Sequence, residues 1–294
     1  MEFRIVNTEA AYRSLLAAPD KAMREAIFHE ALVTPFDGLV KFFGGDGMAA
    51  FRQWGMSPDQ FEDDKREQMA AIIDTLAAYD AWNKATLALE EGRAVFAKYL
   101  DRIPLDTVVF GLYVADMSNV PLQRGYTGFG GIPGWIMTAY GVPDEYNLYR
   151  IKAATVHELE HNIWGSIWPT NWPAVTLGEY ILNEGLAESF AAELYGEDVV
   201  GPWVTEFDPS RFEEAKRLIG DALDVTGFNA VRAYIFGDTL SGQKAGVPDY
   251  AGYAVGYHLV QAYLKRTQKS VVEATFVPAR EIIAEAQFFR KTDR

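Results

Sequence analysis

The stretch His157-Glu158-Leu159-Glu160-His161, set within a helical pattern running from about Asn147 to Trp164, decides how this chain is read. On a helix the two histidines stand one turn apart and project from the same face, so they can chelate one ion. Glu158, beside the first of them, can reach a water at the ion's open position. Zinc suits such a set. It accepts neutral imidazole nitrogens and a carboxylate oxygen, keeps a fourth position for water, and brings that water's pKa towards neutrality.

A third ligand is offered by the next helical segment, Leu177 to Tyr195, which is opened by a capping box (Thr176 with Glu179) and closed by Gly196. Within it, Asn183-Glu184-Gly185-Leu186-Ala187-Glu188 places two carboxylates one turn apart. Taken alone, that pair describes a solvated helix face. Beside the histidine helix, and among Ile181, Leu182, Leu186 and Phe190, it is better explained as a metal ligand with a supporting carboxylate.

The histidine motif followed by Asn183-Glu184 and Glu188 resembles the gluzincin metallopeptidases. That resemblance implies that Glu184 is the third zinc ligand and that Glu188 steadies a ligand histidine, fixing its tautomer and basicity. More narrowly, Gly125 to Met137, the His157 to Asn162 run, Leu182 to Gly196 and Gly252 to Tyr257 resemble the DUF2268 family of predicted zinc-dependent proteases, the YjaZ-like proteins. The likeness runs from about Val108 to the end. Tyr253 to Gly256 also resembles the tyrosine motif of M1-type gluzincin aminopeptidases, which implies that Tyr253 holds the developing oxyanion. His258 is the other candidate donor, and His29 reads as structural. The glutamate that M1 exopeptidases place near their glycine-rich strand has no counterpart in Gly131-Ile132-Pro133-Gly134, which argues against aminopeptidase activity.

Composition agrees with a soluble enzyme. The chain has 294 residues, 49% of them hydrophobic and 14% aromatic, enough for a substantial core. It has no cysteine, which excludes disulfides, thiolate metal sites and a cysteine nucleophile. A net charge of -14 disfavours nucleic acid or anionic lipid as partners. The first residues lack a basic segment followed by an apolar run, and no stretch has the length of a membrane span, so a cytoplasmic location is expected.

Two regions are expected: an N-terminal helical region, 1–104, and a zincin-like catalytic domain, 105–294, with a small sheet, the metal helices and a helical C-terminal part. In the first, Ser57-Pro58-Asp59-Gln60 opens a long helix whose buried stripe is Phe61, Met69, Ile72, Ile73, Leu76 and Tyr79. The stretch Gly45-Asp46-Gly47-Met48-Ala49-Ala50 is read as an ordinary turn, because no βαβ pattern surrounds the glycines. In the second region, Thr107 to Val114 is rich in β-branched and aromatic residues and reads as a strand. Gly125 to Met137 reads as a flexible glycine-rich loop feeding an edge strand, where Gly130, Gly131, Ile132 and Trp135 would pair with an extended peptide. An aromatic and proline-rich loop, Gly165 to Val175, follows the first metal helix. Helices are then expected over Ser210 to Phe236, Tyr250 to Lys265 and Pro278 to Phe289.

The fold class is therefore α+β and mostly helical, a gluzincin-like fold with the HExxH helix beside a small sheet. The expected activity is a zinc metallopeptidase acting on a peptide or protein. Glu158 would deprotonate the attacking water and protonate the leaving amine, with Tyr253 at the oxyanion. The rival readings are a zinc-binding regulatory or interaction protein with vestigial activity, and a zinc amidase or esterase acting on a non-peptide substrate.

Overall fold

The computed structural model describes residues 1–42, 44–118 and 124–289. They form a mostly helical α+β protein with a four-stranded sheet. The chain divides into two compact units, residues 1–162 and 163–294.

The first unit is built on the sheet. Its strands are β1 (Glu2–Ile5), β2 (Thr107–Val114), β3 (Tyr126–Phe129) and β4 (Trp135–Tyr140), in the order β1-β2-β4-β3. β1 and β4 run parallel to β2, whereas β3 is antiparallel to β4. The expected strand at Thr107 to Val114 is present with those bounds, and all of it but Thr107 is buried. Burial on both faces explains why its sequence is a nearly continuous apolar run.

Side chains alternate between the two faces. One face carries Phe110, Leu112 and Val114 of β2, Ile136, Thr138 and Tyr140 of β4, and Tyr126 and Gly128 of β3, as the register requires. The other face carries Tyr113, whose ring meets Phe36 and Phe51, each at 5.6 Å between centroids, and whose hydroxyl donates to the Leu32 carbonyl at 2.8 Å. The N-terminal helical segments therefore cover that second face. They include α1 (Thr8–Ala17), α2 (Arg66–Ala78) and α3 (Ala81–Val95) with several short turns.

Three expectations need correction in this unit. The capping box at Ser57 forms, but it opens a short 3-10 turn, Pro58–Phe61, and the chain is extended at Glu62. Arg52 donates to the Ser57 hydroxyl and to Asp59, fastening the turn to the preceding helix instead of letting it propagate. The long helix is α2, so the buried stripe on it is Met69, Ile72, Ile73 and Leu76, while Phe61 packs from the turn. Second, the stretch at Gly45 is a turn leading into a short helix, Gly47–Gln53, that Asp46 caps through the Ala49 N–H.

Third, the strand after the glycine run is not at the edge. β4 lies between β2 and β3, and the glycine-bearing segment Tyr126–Phe129 is itself the edge strand. The boundary between the two compact units falls at 162/163. The reason is that the N-terminal region belongs to the sheet. β1 pairs with β2, the Trp82 indole donates to the Thr8 hydroxyl, and Arg93 donates to the Met1 carbonyl.

The helix carrying the histidines, α4 (Ile151–Ile167), runs through the boundary, preceded by a separate short helix, Glu145–Tyr149. In the second unit, α5 (Leu177–Tyr195) has the expected bounds, with the Thr176–Glu179 capping box formed and Gly196 beyond its end. The expected helix over 210–236 is two, α6 (Phe212–Gly220) and α7 (Phe228–Phe236), separated by a turn whose carbonyls at Leu223 and Val225 accept from Gly178 and Leu177. α8 (Ala251–Thr267) and α9 (Ala279–Ala286) complete the unit.

α5 and α8 cross backbone to backbone. A methyl group at Gly185 would lie 2.2 Å from the Gly256 carbonyl oxygen, and one at Gly256 would lie 2.1 Å from that of Ile181. Only glycine permits this approach. Among the described residues, no helix is long and apolar enough to cross a membrane.

Candidate metal centre and its wall

His157 and His161 lie one turn apart on α4, with ring centroids 4.7 Å apart and ring planes perpendicular. Glu184 joins them: one potential ligand atom from each of the three residues lies within 4.8 Å of the others. His157, Glu158, His161 and Glu184 are each 7–8% exposed. Those values decide against a solvated helix face for Glu184, because a carboxylate is rarely so buried without a counter-charge or metal. Two neutral nitrogen donors and one oxygen donor match the set that zinc takes when a position is left for water. The residues thus fit a zinc ion.

Glu158 stands against the glycines of the edge strand. An added Cβ at Gly128 would fall 2.2 Å from Glu158 Oε1 and 2.6 Å from its Cδ. At Gly130 it would fall 2.2 Å from the Glu158 carbonyl oxygen. Residues two apart share a strand face, so these two glycines form a flat wall that lets β3 lie directly on the helix at this residue. The density of glycines in this segment is plain from the sequence. Their spacing was the signal for which of them face the helix.

Asn162, next to His161 and fully buried, fastens this wall. Its amide nitrogen donates to the carbonyls of Gly130 (2.7 Å), Ile132 (3.2 Å) and Trp135 (2.9 Å), and its oxygen accepts from the Gly134 N–H (2.7 Å). Three carbonyls on one side and an N–H on the other leave no doubt about its orientation. The sequence motif by itself gives Asn162 no role in the site. The available signal was an amide, a weak helix former, placed in an otherwise buried run directly after the motif.

Gly130, Gly131, Ile132 and Trp135, expected to pair with a peptide, lie in the turn between β3 and β4 and at the start of β4. The carbonyls of Gly130, Ile132 and Trp135 are engaged by Asn162, and β4 is paired on both sides. Trp135 also turns its indole to the opposite face of the sheet, where a Cβ on Gly38 would lie 2.2 Å from its ring. Among the described residues, the unpaired sheet edge on this side belongs to β3.

In the second unit, Glu188 is 4% exposed. It accepts hydrogen bonds from the Gly201 N–H and from the Trp203 indole, the latter at 2.9 Å, so it anchors the Gly201–Trp203 segment to the Glu184 helix. Trp203 in turn meets the half-buried ring of Tyr253 at 5.8 Å, and Tyr253 also contacts Phe236 and Tyr250. His258 packs edge-on against Phe212 at 4.8 Å, and its pKa is pushed down chiefly by burial. His29 is exposed on a short π-helical segment, Phe28–Val33.

Fold and donor set together define a class: a helical α+β protein with a candidate single-metal centre. The chain belongs to the family described as predicted Zn-dependent proteases (DUF2268), whose match covers residues 81–284. It is 42% identical over 192 residues to the uncharacterized protein YjfC of Bacillus subtilis (strain 168), a match covering 64% of each chain. To the uncharacterized protein YjaZ of the same organism it is 28% identical over 134 residues, which is 45% of this chain and 49% of that one. The chain therefore spans less than two thirds of the length of either relative. No solved structure matches it.

Proposed function

We propose that this protein is a zinc metallopeptidase of gluzincin type. The observation that carries the reading is the convergence of His157, His161 and Glu184, all buried, with the carboxylate of Glu158 beside the first ligand. When bound, zinc supplies a Lewis acid for the scissile carbonyl and an acidified water. Glu158 takes the proton of the attacking water and passes it to the leaving amine. The wall of Gly128 and Gly130 brings the open edge of β3 beside that base, so an extended peptide adds to β3 by main-chain hydrogen bonds. The Tyr253 hydroxyl, on the helix that touches the Glu184 helix through glycines, stabilises the oxyanion.

The test is elemental analysis of chelator-free protein with peptide-library turnover on the same samples. Wild type should hold about one zinc per chain. His157→Ala should lose the metal and the turnover, whereas Glu158→Gln should keep the metal and lose turnover by a factor of about 10² or more. Full turnover in Glu158→Gln refutes the mechanism, and absence of metal under replete conditions refutes the reading as a whole.

A further inference from the structure

The sheet face that meets Glu158 carries two buried hydroxyls that no described residue satisfies. Thr138 and Tyr140 are each 0% exposed, and among the described residues neither Thr138 Oγ1 nor Tyr140 Oη has a hydrogen-bond partner. Their position follows from the register. Thr138 is directly opposite Gly128 and Tyr140 directly opposite Tyr126, so all four point to one side of the sheet, the side on which Gly128 meets the Glu158 carboxylate. The charge of Glu158 is felt at Tyr140, whose phenol is held well above its usual range first by burial and then by that carboxylate.

Four other buried hydroxyls in the same unit are paired. Thr8 donates to the Leu112 carbonyl, Tyr12 accepts from the Val114 N–H, Tyr113 donates to the Leu32 carbonyl, and Thr155 donates to the Ile151 carbonyl. A core under no other demand would carry valine and phenylalanine at positions 138 and 140, since those side chains fill the same space without stranding a polar group.

We propose that Thr138 and Tyr140 are positioning residues for Glu158, holding buried water that bridges their hydroxyls to its carboxylate. The chemistry fits, because an enclosed water needs two to four polar partners, and two hydroxyls and a carboxylate supply them. A water held there donates to the carboxylate and limits its rotation, so the oxygen that receives the proton stays aimed at the attacking water. The kinetic part of this inference rests on the reading of Glu158 as the base; the water site itself does not.

Tyr140→Phe, Thr138→Val and Thr138→Ser, each loaded with zinc, separate the possibilities. The first two should lower kcat at least tenfold, with KM and zinc content unchanged. Thr138→Ser, which restores a hydroxyl, should recover most of the loss. A crystal structure of the wild type should show water within hydrogen-bond distance of Tyr140 Oη or Thr138 Oγ1 and of the Glu158 carboxylate. Tyr140→Phe and Thr138→Val with unchanged kcat and a raised melting temperature would mean that the hydroxyls are idle, and a dry site in the crystal would overturn the proposal directly. Zinc-loaded wild type without peptide turnover, but with the bridging water present, would refute the peptidase reading and leave the water site standing.

Discussion

Replacing Gly128 by alanine tests whether the glycine wall sets the position of the Glu158 carboxylate, the proposed base. The new Cβ would be 2.2 Å from Glu158 Oε1 and 2.6 Å from both Cγ and Cδ. Ordinary contacts begin near 3.5 Å, so the carboxylate must retreat by roughly 1 Å. The displaced atoms are the end of a rotatable side chain, and the strand gains a small stabilisation from losing glycine's freedom, so folding should change by less than about 1 kcal/mol. A reacting group misplaced by about 1 Å costs on the order of 10² in rate, equivalent to about 2.7 kcal/mol of transition-state stabilisation. Steady-state kinetics on a cleavable peptide should therefore show kcat down about a hundredfold with zinc content and melting temperature near wild type. Gly130→Ala makes the contrast. Its Cβ meets the Glu158 carbonyl oxygen at 2.2 Å and Cα at 2.9 Å, which are backbone atoms of a buried helix that cannot rotate away. That variant should lose about 1–3 kcal/mol of stability. If Gly128→Ala keeps full kcat, the wall does not hold the base, and the geometry argued from it is wrong.

Three further outcomes follow from the same reasoning. Asn162→Ala leaves three carbonyls, two of them buried, and one N–H without their partner and should cost about 3 kcal/mol in urea unfolding; a loss below about 1 kcal/mol would show that the turn holds itself. Gly185→Ala drives a methyl group into the Gly256 carbonyl, and zinc titration with thermal melting should show weaker metal binding and a lower melting temperature together, since Glu184 is the neighbouring residue. His258 is held below its ordinary pKa of 6.5 by burial, with Lys216 adding to the effect and Glu197 opposing it. The folded state thus binds its proton less readily than the unfolded chain, so this contribution to stability is complete above about pH 6.5 and is lost as pH falls; His258→Gln should flatten the acid side of the stability profile, and an unchanged profile would refute the assignment.

What could be read from sequence was what local physics determines. β2 is legible because a strand buried on both faces must be apolar throughout, and α5 because its capping box states where it begins. The candidate metal donors were legible because helical spacing alone brings His157 and His161 to one face. What could not be read depends on partners distant in the chain. β1 is four residues long and mostly exposed, so it carries too little pattern to be seen. The interior place of β4 is a fact of strand order, which neither β4 nor its flanking glycines encode locally. Asn162 finds its partners about thirty residues upstream, at Gly130, Ile132 and Trp135.

The same logic extends to the region outside the family match, which begins at Ala81. β1 and α1 precede that point, yet β1 pairs with β2 through Glu2 to Ile5, and the segments around Leu32, Phe36 and Phe51 cover the face that bears Tyr113. A sheet left bare on that face would expose Tyr113 and Met137, which are buried in the whole protein, and would lose packing that supports β2 and β4, the strand beside β3. β3 owes its place against Glu158 to pairing with β4 and to the grip of Asn162 on the turn between them. The N-terminal segments are therefore part of what holds the edge strand against Glu158. Mutations there should change activity through the pairing of β2 and β4, in proportion to their effect on stability.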